Sequence, residues 1–92
     1  MPSRRRTHRK DANHNQIAKV FERAGCTVVD TSSMGGGFPD MIVARRGRTV
    51  VVEVKSRSKP SDDQKDFAIW WRGAHAFVYS DDEALDVITR LL

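Results

Sequence analysis

The sequence predicts an α/β fold whose elements run αβββαβα, with a central mixed sheet flanked by helices. Three observations carry that expectation. Apolar residues recur at helical spacing in three separate stretches, and the second and third of these open on Ser-x-x-Gln and Ser-x-x-Glu strings of the kind that cap helices. Met41–Arg45 and residues 49–55 are two apolar runs lying too close together for anything but an antiparallel hairpin. Two shorter runs, residues 26–30 and 74–79, supply further strands.

Residues 1–10 hold almost nothing apolar and read as a basic, disordered arm ahead of a single domain at 11–92. Asp11 or Asn13 can cap the first helix, in which Ile17, Val20, Phe21 and Ala24 form one stripe, and Gly25 ends it. A short strand follows, then a loop over 31–37 whose three glycines make it either merely flexible or open to a ligand. No Gly-Lys-Ser/Thr follows them, which argues against a nucleotide-binding P-loop. In the hairpin, a two-residue turn at Arg46 and Gly47 would make paired positions sum to 93 and set Asp40 directly across from Glu53. A three-residue turn with a bulge would set Asp40 opposite Val52 instead. The near-continuous apolar character of the two strands puts them in the middle of the sheet. Residues 56–60 form a polar break. Ser61 and Gln64 then make a capping box, with Asp62 and Asp63 well placed against the helix dipole, Phe67, Trp70 and Trp71 as the buried stripe, and Gly73 as the stop. After the strand over 74–79, Ser80 and Glu83 make a second capping box, opening a helix with Leu85, Ile88 and Leu91 inward.

Ninety-two residues suffice for one modest core, so a second subunit would help to bury apolar surface. The net charge of +4 is unevenly spread: Arg4, Arg5, Arg6, Arg9 and Lys10 crowd one end, while Asp81, Asp82, Glu83 and Asp86 gather near the other. A basic arm of this kind suits a polyanion, most simply DNA, although a solubilising tail has the same composition. The single cysteine, Cys26, excludes an internal disulfide and a Cys-x-x-Cys zinc site, and His8, His14 and His75 lack metal-ligand spacing. No apolar run is long enough for a signal peptide or a membrane span, so the expectation is a cytoplasmic protein that needs neither membrane nor small-molecule cofactor.

The chemistry concentrates in the hairpin. Side chains two apart on a strand share a face, so Glu53 and Lys55 emerge together from a strand that otherwise reads Val50, Val51, Val52, Val54. Burying such charge is costly unless it is paired or coordinates a metal. With Asp40 opening the preceding strand, two carboxylates offer hard oxygen ligands suited to magnesium or manganese, and the backbone carbonyl of Val54 could add a third. An ion held there could lower the pKa of a water and balance charge on a phosphate, while Lys55 orients or helps deprotonate that water. The bland alternative for Glu53 and Lys55 is an ion pair on a partly exposed edge. Arg45, Arg46, Arg48, Arg57 and Lys59 flank the two strands and suit phosphate contact. Trp70 and Trp71 suit the core or a subunit interface better than base stacking.

Pro39-Asp40 followed by Glu53-Val54-Lys55 resembles the signature of the PD-(D/E)XK nuclease superfamily. The fuller set of landmarks is Asp11-Ala12-Asn13, Gly35-Gly36-Gly37-Phe38-Pro39-Asp40, Val52-Glu53-Val54-Lys55-Ser56 and Ser61-Asp62-Asp63-Gln64. It resembles the virus-type replication-repair nuclease family (VRR-Nuc) in its small stand-alone phage and bacterial form. The resemblance implies a restriction-endonuclease-like core and a magnesium-dependent, structure-selective DNA endonuclease acting on four-way junctions, most simply as a homodimer presenting two sites. It makes Asp40, Glu53 and Lys55 catalytic, puts Gln64 beside the active centre, and aligns Gln16 with a first-helix glutamate of the relatives. An amide there brings no charge to a second metal. A restriction or repair nuclease directed by a partner, and a catalytically weak DNA-binding module, are the competing readings.

Overall fold

The computed structural model describes residues 11–92, and its elements are α1 (His14–Arg23), β1 (Thr27–Asp30), β2 (Met41–Arg45), β3 (Arg48–Val54), α2 (Asp62–Trp70), β4 (Ala74–Val78) and α3 (Asp81–Leu91). The order is the expected αβββαβα. The four strands form one mixed sheet in the order β1-β2-β3-β4, antiparallel except for the parallel β3–β4 pair, so the hairpin does occupy the middle. A parallel neighbour requires a crossover, and the segment carrying α2 supplies it. The basic residues Arg4, Arg5, Arg6, Arg9 and Lys10 lie outside the described residues.

Hairpin register follows from its turn. Arg45 pairs with Arg48, and Met41 with Val52, so paired positions sum to 93. Arg46 (φ 56°) and Gly47 (φ 78°) are both left-handed, the requirement of a two-residue turn whose twist matches that of its strands. The three-residue alternative is thereby excluded.

Alternation along the strands divides the sheet into two unlike faces. Met41, Val43, Val50, Val52, Val54 and Val78 point to one side, where they meet Ile17 and Phe21 of α1 and Ala84 and Val87 of α3. Phe21 is fully buried there, and trimming such a ring to alanine costs about 3–5 kcal/mol. The Gln16 amide of α1 donates to Asp81 Oδ1 of α3 at 2.9 Å, tying the two helices on this face. Glu53, His75 and Phe77 belong to the opposite face, on the side of α2.

Five local expectations are corrected. Neither Asp11 nor Asn13 caps α1 with its side chain, although Asn13 holds the cap position. On α2 the stripe of Phe67, Trp70 and Trp71 is not buried: Trp70 is 70% exposed, the other two are half-buried, and Gln64 is the helix's buried residue. Phe67 instead gathers Phe38, Trp71 and His75 around it, with Phe38 edge-on at 5.2 Å between centroids and Trp71 stacked at 5.4 Å. The helix ends at Trp70, where Trp71 turns extended ahead of Gly73. On α3, Leu85 faces outward at 51% exposure, and the inward stripe is Ala84, Val87, Ile88 and Leu91. Its capping box is half formed, since Ser80 accepts from the Glu83 N–H while the Glu83 carboxylate accepts from the Tyr79 N–H. Among the described residues no helix is long and apolar enough to cross a membrane.

Candidate active site

The loop between β1 and β2 returns the chain so that a carboxylate opens β2. Thr31 closes its base twice: the Thr31 N–H donates to the Asp40 carbonyl at 2.8 Å, and its hydroxyl donates to the Pro39 carbonyl at 2.7 Å. Within the loop, Gly37 (φ 85°) runs so close to the first turn of α2 that an added Cβ would lie 2.6 Å from the Asp63 carbonyl oxygen. The glycine loop therefore approaches α2 of the same chain.

Extending the hairpin register by one step places Asp40 across from Glu53. Both are buried, Asp40 fully and Glu53 at 1% exposure. Asp40 Oδ2 accepts the Val54 N–H at 2.8 Å, and the two carboxyl groups share a hydrogen bond. Burial, then the neighbouring Asp40 charge and the hydrogen bond with it, push the Glu53 carboxyl up to about 9; Lys55 pulls the other way and Asp11 adds to the rise. Two carboxylates this close in a dry site cannot both ionise without a cation.

Gln64 joins this pair to the lysine. Its Nε2 donates to Glu53 Oε2 at 2.8 Å, and its Oε1 accepts from Lys55 Nζ at 3.3 Å and from the Ser61 N–H at 2.9 Å. The last bond, with Ser61 Oγ accepting the Gln64 N–H at 3.2 Å, completes the capping box, so one side chain both caps α2 and bridges the site. Lys55 is 6% exposed, an uncommon burial for an ammonium group.

The structure thus brings Asp40, Glu53, Lys55 and Gln64 into one network, with the Val54 backbone inside it. Gln16 is not among them; it is exposed and engaged with Asp81. Arg57 and Lys59 are exposed on the segment just after Lys55. Arg45, Arg46 and Arg48 line a groove with Ile88, Thr89 and Leu92 at the far end of the hairpin. Glu53 lies five positions after Arg48 along β3, a span of roughly 17 Å at the usual rise.

Two participants escaped the sequence reading. Asp11 Oδ2 accepts the Ser56 N–H at 2.6 Å, and Asn13 Nδ2 donates to the carbonyls of Lys55 (3.1 Å) and Tyr79 (3.2 Å). Their failure to cap α1 is legible only once those partners, 42 to 66 residues away in sequence, are known.

Among the described residues, no three His, Cys, Asp or Glu side chains converge as a metal cluster. Asp40 and Glu53 nevertheless fit a hard divalent ion, because a cation in place of the shared proton would relieve the opposition of two buried carboxylates. Such an ion commonly takes few protein ligands and completes its shell with backbone, water and substrate oxygens.

A family model described as archaeal Holliday junction resolvase (Hjc) matches residues 5–63, more than half of the chain. No curated protein and no solved structure matches.

Proposed function

The chain belongs to the archaeal Holliday junction resolvase family, a PD-(D/E)XK-type nuclease family, and from that premise we propose that it cuts four-way DNA junctions with a divalent ion, magnesium or manganese, at Asp40 and Glu53. The observation that carries the metal reading is the pair of buried carboxylates on one sheet face, with Glu53 raised to about 9 mainly by burial and by Asp40. Asp40, Glu53 and the Val54 carbonyl would hold the ion, which supplies water activation and charge neutralisation at the phosphate. Lys55, its ammonium held by Gln64, is placed to stabilise negative charge developing on the phosphoryl oxygens. Gln64 keeps Lys55 and Glu53 in fixed relation, so the geometry exists before substrate arrives.

Arg57 and Lys59 suit phosphates next to the cut. Arg45, Arg46 and Arg48, roughly 17 Å away along β3, suit phosphates several nucleotides off. Arg4, Arg5, Arg6, Arg9 and Lys10, outside the described residues, are further candidates for phosphate contact by their charge. A junction has near two-fold symmetry and needs two cuts, so we read the enzyme as a homodimer, with Ile69 (84% exposed) and Trp70 of α2 as the apolar surface available for pairing. Its landmark strings support the finer reading as a VRR-type member of the superfamily, with the nuclease domain at 11–92. Such an enzyme would act on DNA in the cytoplasm.

The test is cleavage of labelled linear, flap and four-way junction DNA with and without magnesium. Metal-dependent cutting of the junction in preference to linear duplex is expected. Equal cutting of all three, or cutting in EDTA, would reject the proposal.

A further inference from the structure

We propose that Asp11 and Asn13 form a latch on the peptide between Lys55 and Ser56 and position the lysine for cleavage. The proposal rests on the reading of Lys55 as an active residue.

Lys55 sits just past the end of β3, where the antiparallel ladder with β2 has already finished at Met41. Its own N–H still donates to the Val78 carbonyl of β4 at 2.9 Å. Beyond that bond the chain leaves the sheet into the exposed residues 56–59, which belong to no element. A lysine side chain is long and flexible, so an unheld backbone at its base would let the ammonium wander.

The latch fixes that base. The carbonyl and the N–H of one peptide unit are both engaged: Lys55 O accepts from Asn13 Nδ2 at 3.1 Å, and the Ser56 N–H donates to Asp11 Oδ2 at 2.6 Å. The Asn13 amide also donates to Tyr79 O at 3.2 Å, joining the ends of β3 and β4. Both residues are anchored by backbone bonds to the start of α1, from the His14 N–H to Asp11 O and from the Ile17 N–H to Asn13 O, each 3.0 Å. Ile17 is fully buried, so the latch is mounted on the core. Lys55 is then held at both ends, at its peptide by Asp11 and Asn13 and at its ammonium by Gln64.

Asp11 and Asn13 are positioning residues, and their removal should lower turnover while leaving junction binding alone. Asp11→Ala and Asn13→Ala are expected to reduce kcat for junction cleavage about 10- to 100-fold, with KM and junction affinity in EDTA within about twofold of wild type. Two isosteric variants separate this role from its rivals. Asp11→Asn keeps an oxygen for the Ser56 N–H and should hold kcat within about threefold of wild type. Asn13→Asp is an equally good helix cap but has no N–H to give, so it should fall at least as far as Asn13→Ala. If Asp11→Asn fell as far as Asp11→Ala, charge would be the requirement and the latch would be wrong; wild-type turnover by Asn13→Asp would equally overturn it. Lys55→Ala, assayed in parallel, separates the premise from the proposal. Normal cleavage by that variant removes the active role of Lys55, whereas its loss beside fully active Asp11→Ala and Asn13→Ala overturns the latch alone.

Discussion

Replacing Gly37 with alanine should cripple the nuclease through a backbone clash with the first turn of α2. An alanine Cβ at this position would lie 2.6 Å from the Asp63 carbonyl oxygen and 2.9 Å from its carbon, about 0.8 Å short of the 3.4 Å at which ordinary contact begins. Both obstacles are backbone atoms, so no side chain can swing away. Either α2 retreats or the loop does. Retreat of α2 carries Gln64, the next residue, away from Glu53, and stretches the 2.8 Å bond to roughly 3.6 Å, beyond hydrogen-bond range. Retreat of the loop displaces Asp40 instead. In both cases the carboxylate pair and the lysine lose alignment, and a shift of this size costs on the order of 100-fold in turnover. Stability falls as well, because φ is +85° and a left-handed conformation costs a residue with a Cβ about 1–2 kcal/mol before any clash. For a domain of this size each kcal/mol lowers Tm by about 4–8 °C. The control is Gly36→Ala, which has the same left-handed strain (φ +65°) but nothing within 4 Å of the added carbon. Single-turnover cleavage of a four-way junction, with thermal melting of both variants, gives the comparison. Equal cleavage rates for Gly37→Ala and Gly36→Ala would refute the reasoning.

Asp40→Asn should abolish cleavage while junction binding in EDTA persists, as gel-shift titration beside a cleavage assay would show; undiminished cutting would remove Asp40 from the metal site. The raised Glu53 carboxyl gives a pH signature with a definite sign. Folded Glu53 keeps its proton up to about 9 whereas the unfolded group loses it near 4.5, so this residue's contribution is fully present below pH 4.5 and is lost as pH rises toward 9, by up to about 1.4 kcal/mol per pH unit. In EDTA, melting temperature should therefore decline across that window in wild type relative to Glu53→Gln, and magnesium should restore it at the alkaline end; parallel curves for the two proteins would contradict the assignment. Removing Arg45, Arg46 and Arg48 together should flatten the log-log salt dependence of junction binding by about 0.9 for each phosphate no longer neutralised, and an unchanged slope would place the hairpin tip off the DNA. Sedimentation of the wild type tests the proposed homodimer, which Trp70→Glu should convert to monomer; a wild-type monomer would reject the dimer, and a dimer undisturbed by the substitution would move the interface away from α2.

Much of the fold was legible in the chain itself because its signals are local. The Arg46-Gly47 turn fixes the register through two left-handed residues, and that register sets Asp40 across from Glu53. Alternation in Val50, Val51, Val52, Glu53, Val54 and Lys55 separates a core face from a chemical face without reference to any other element. The Ser61 and Gln64 capping box closes within four residues, and so could be read from spacing alone. What only the tertiary structure decided are matters of which neighbour an element meets. Periodicity announces a stripe on α3 but does not choose between Leu85 and its neighbours Ala84 and Val87; the position of α1 chooses, and Leu85 turns outward. Trp70 is exposed because α2 faces the sheet through Gln64 and Phe67, a pose set by the crossover between parallel strands and not by the helix's own pattern. Gly37 is needed for an approach to Asp63, and Asp11 and Asn13 serve partners 42 to 66 residues away. Such requirements leave no period in the sequence, because a hydrogen bond or a close contact across the fold depends on where two distant backbones are brought together.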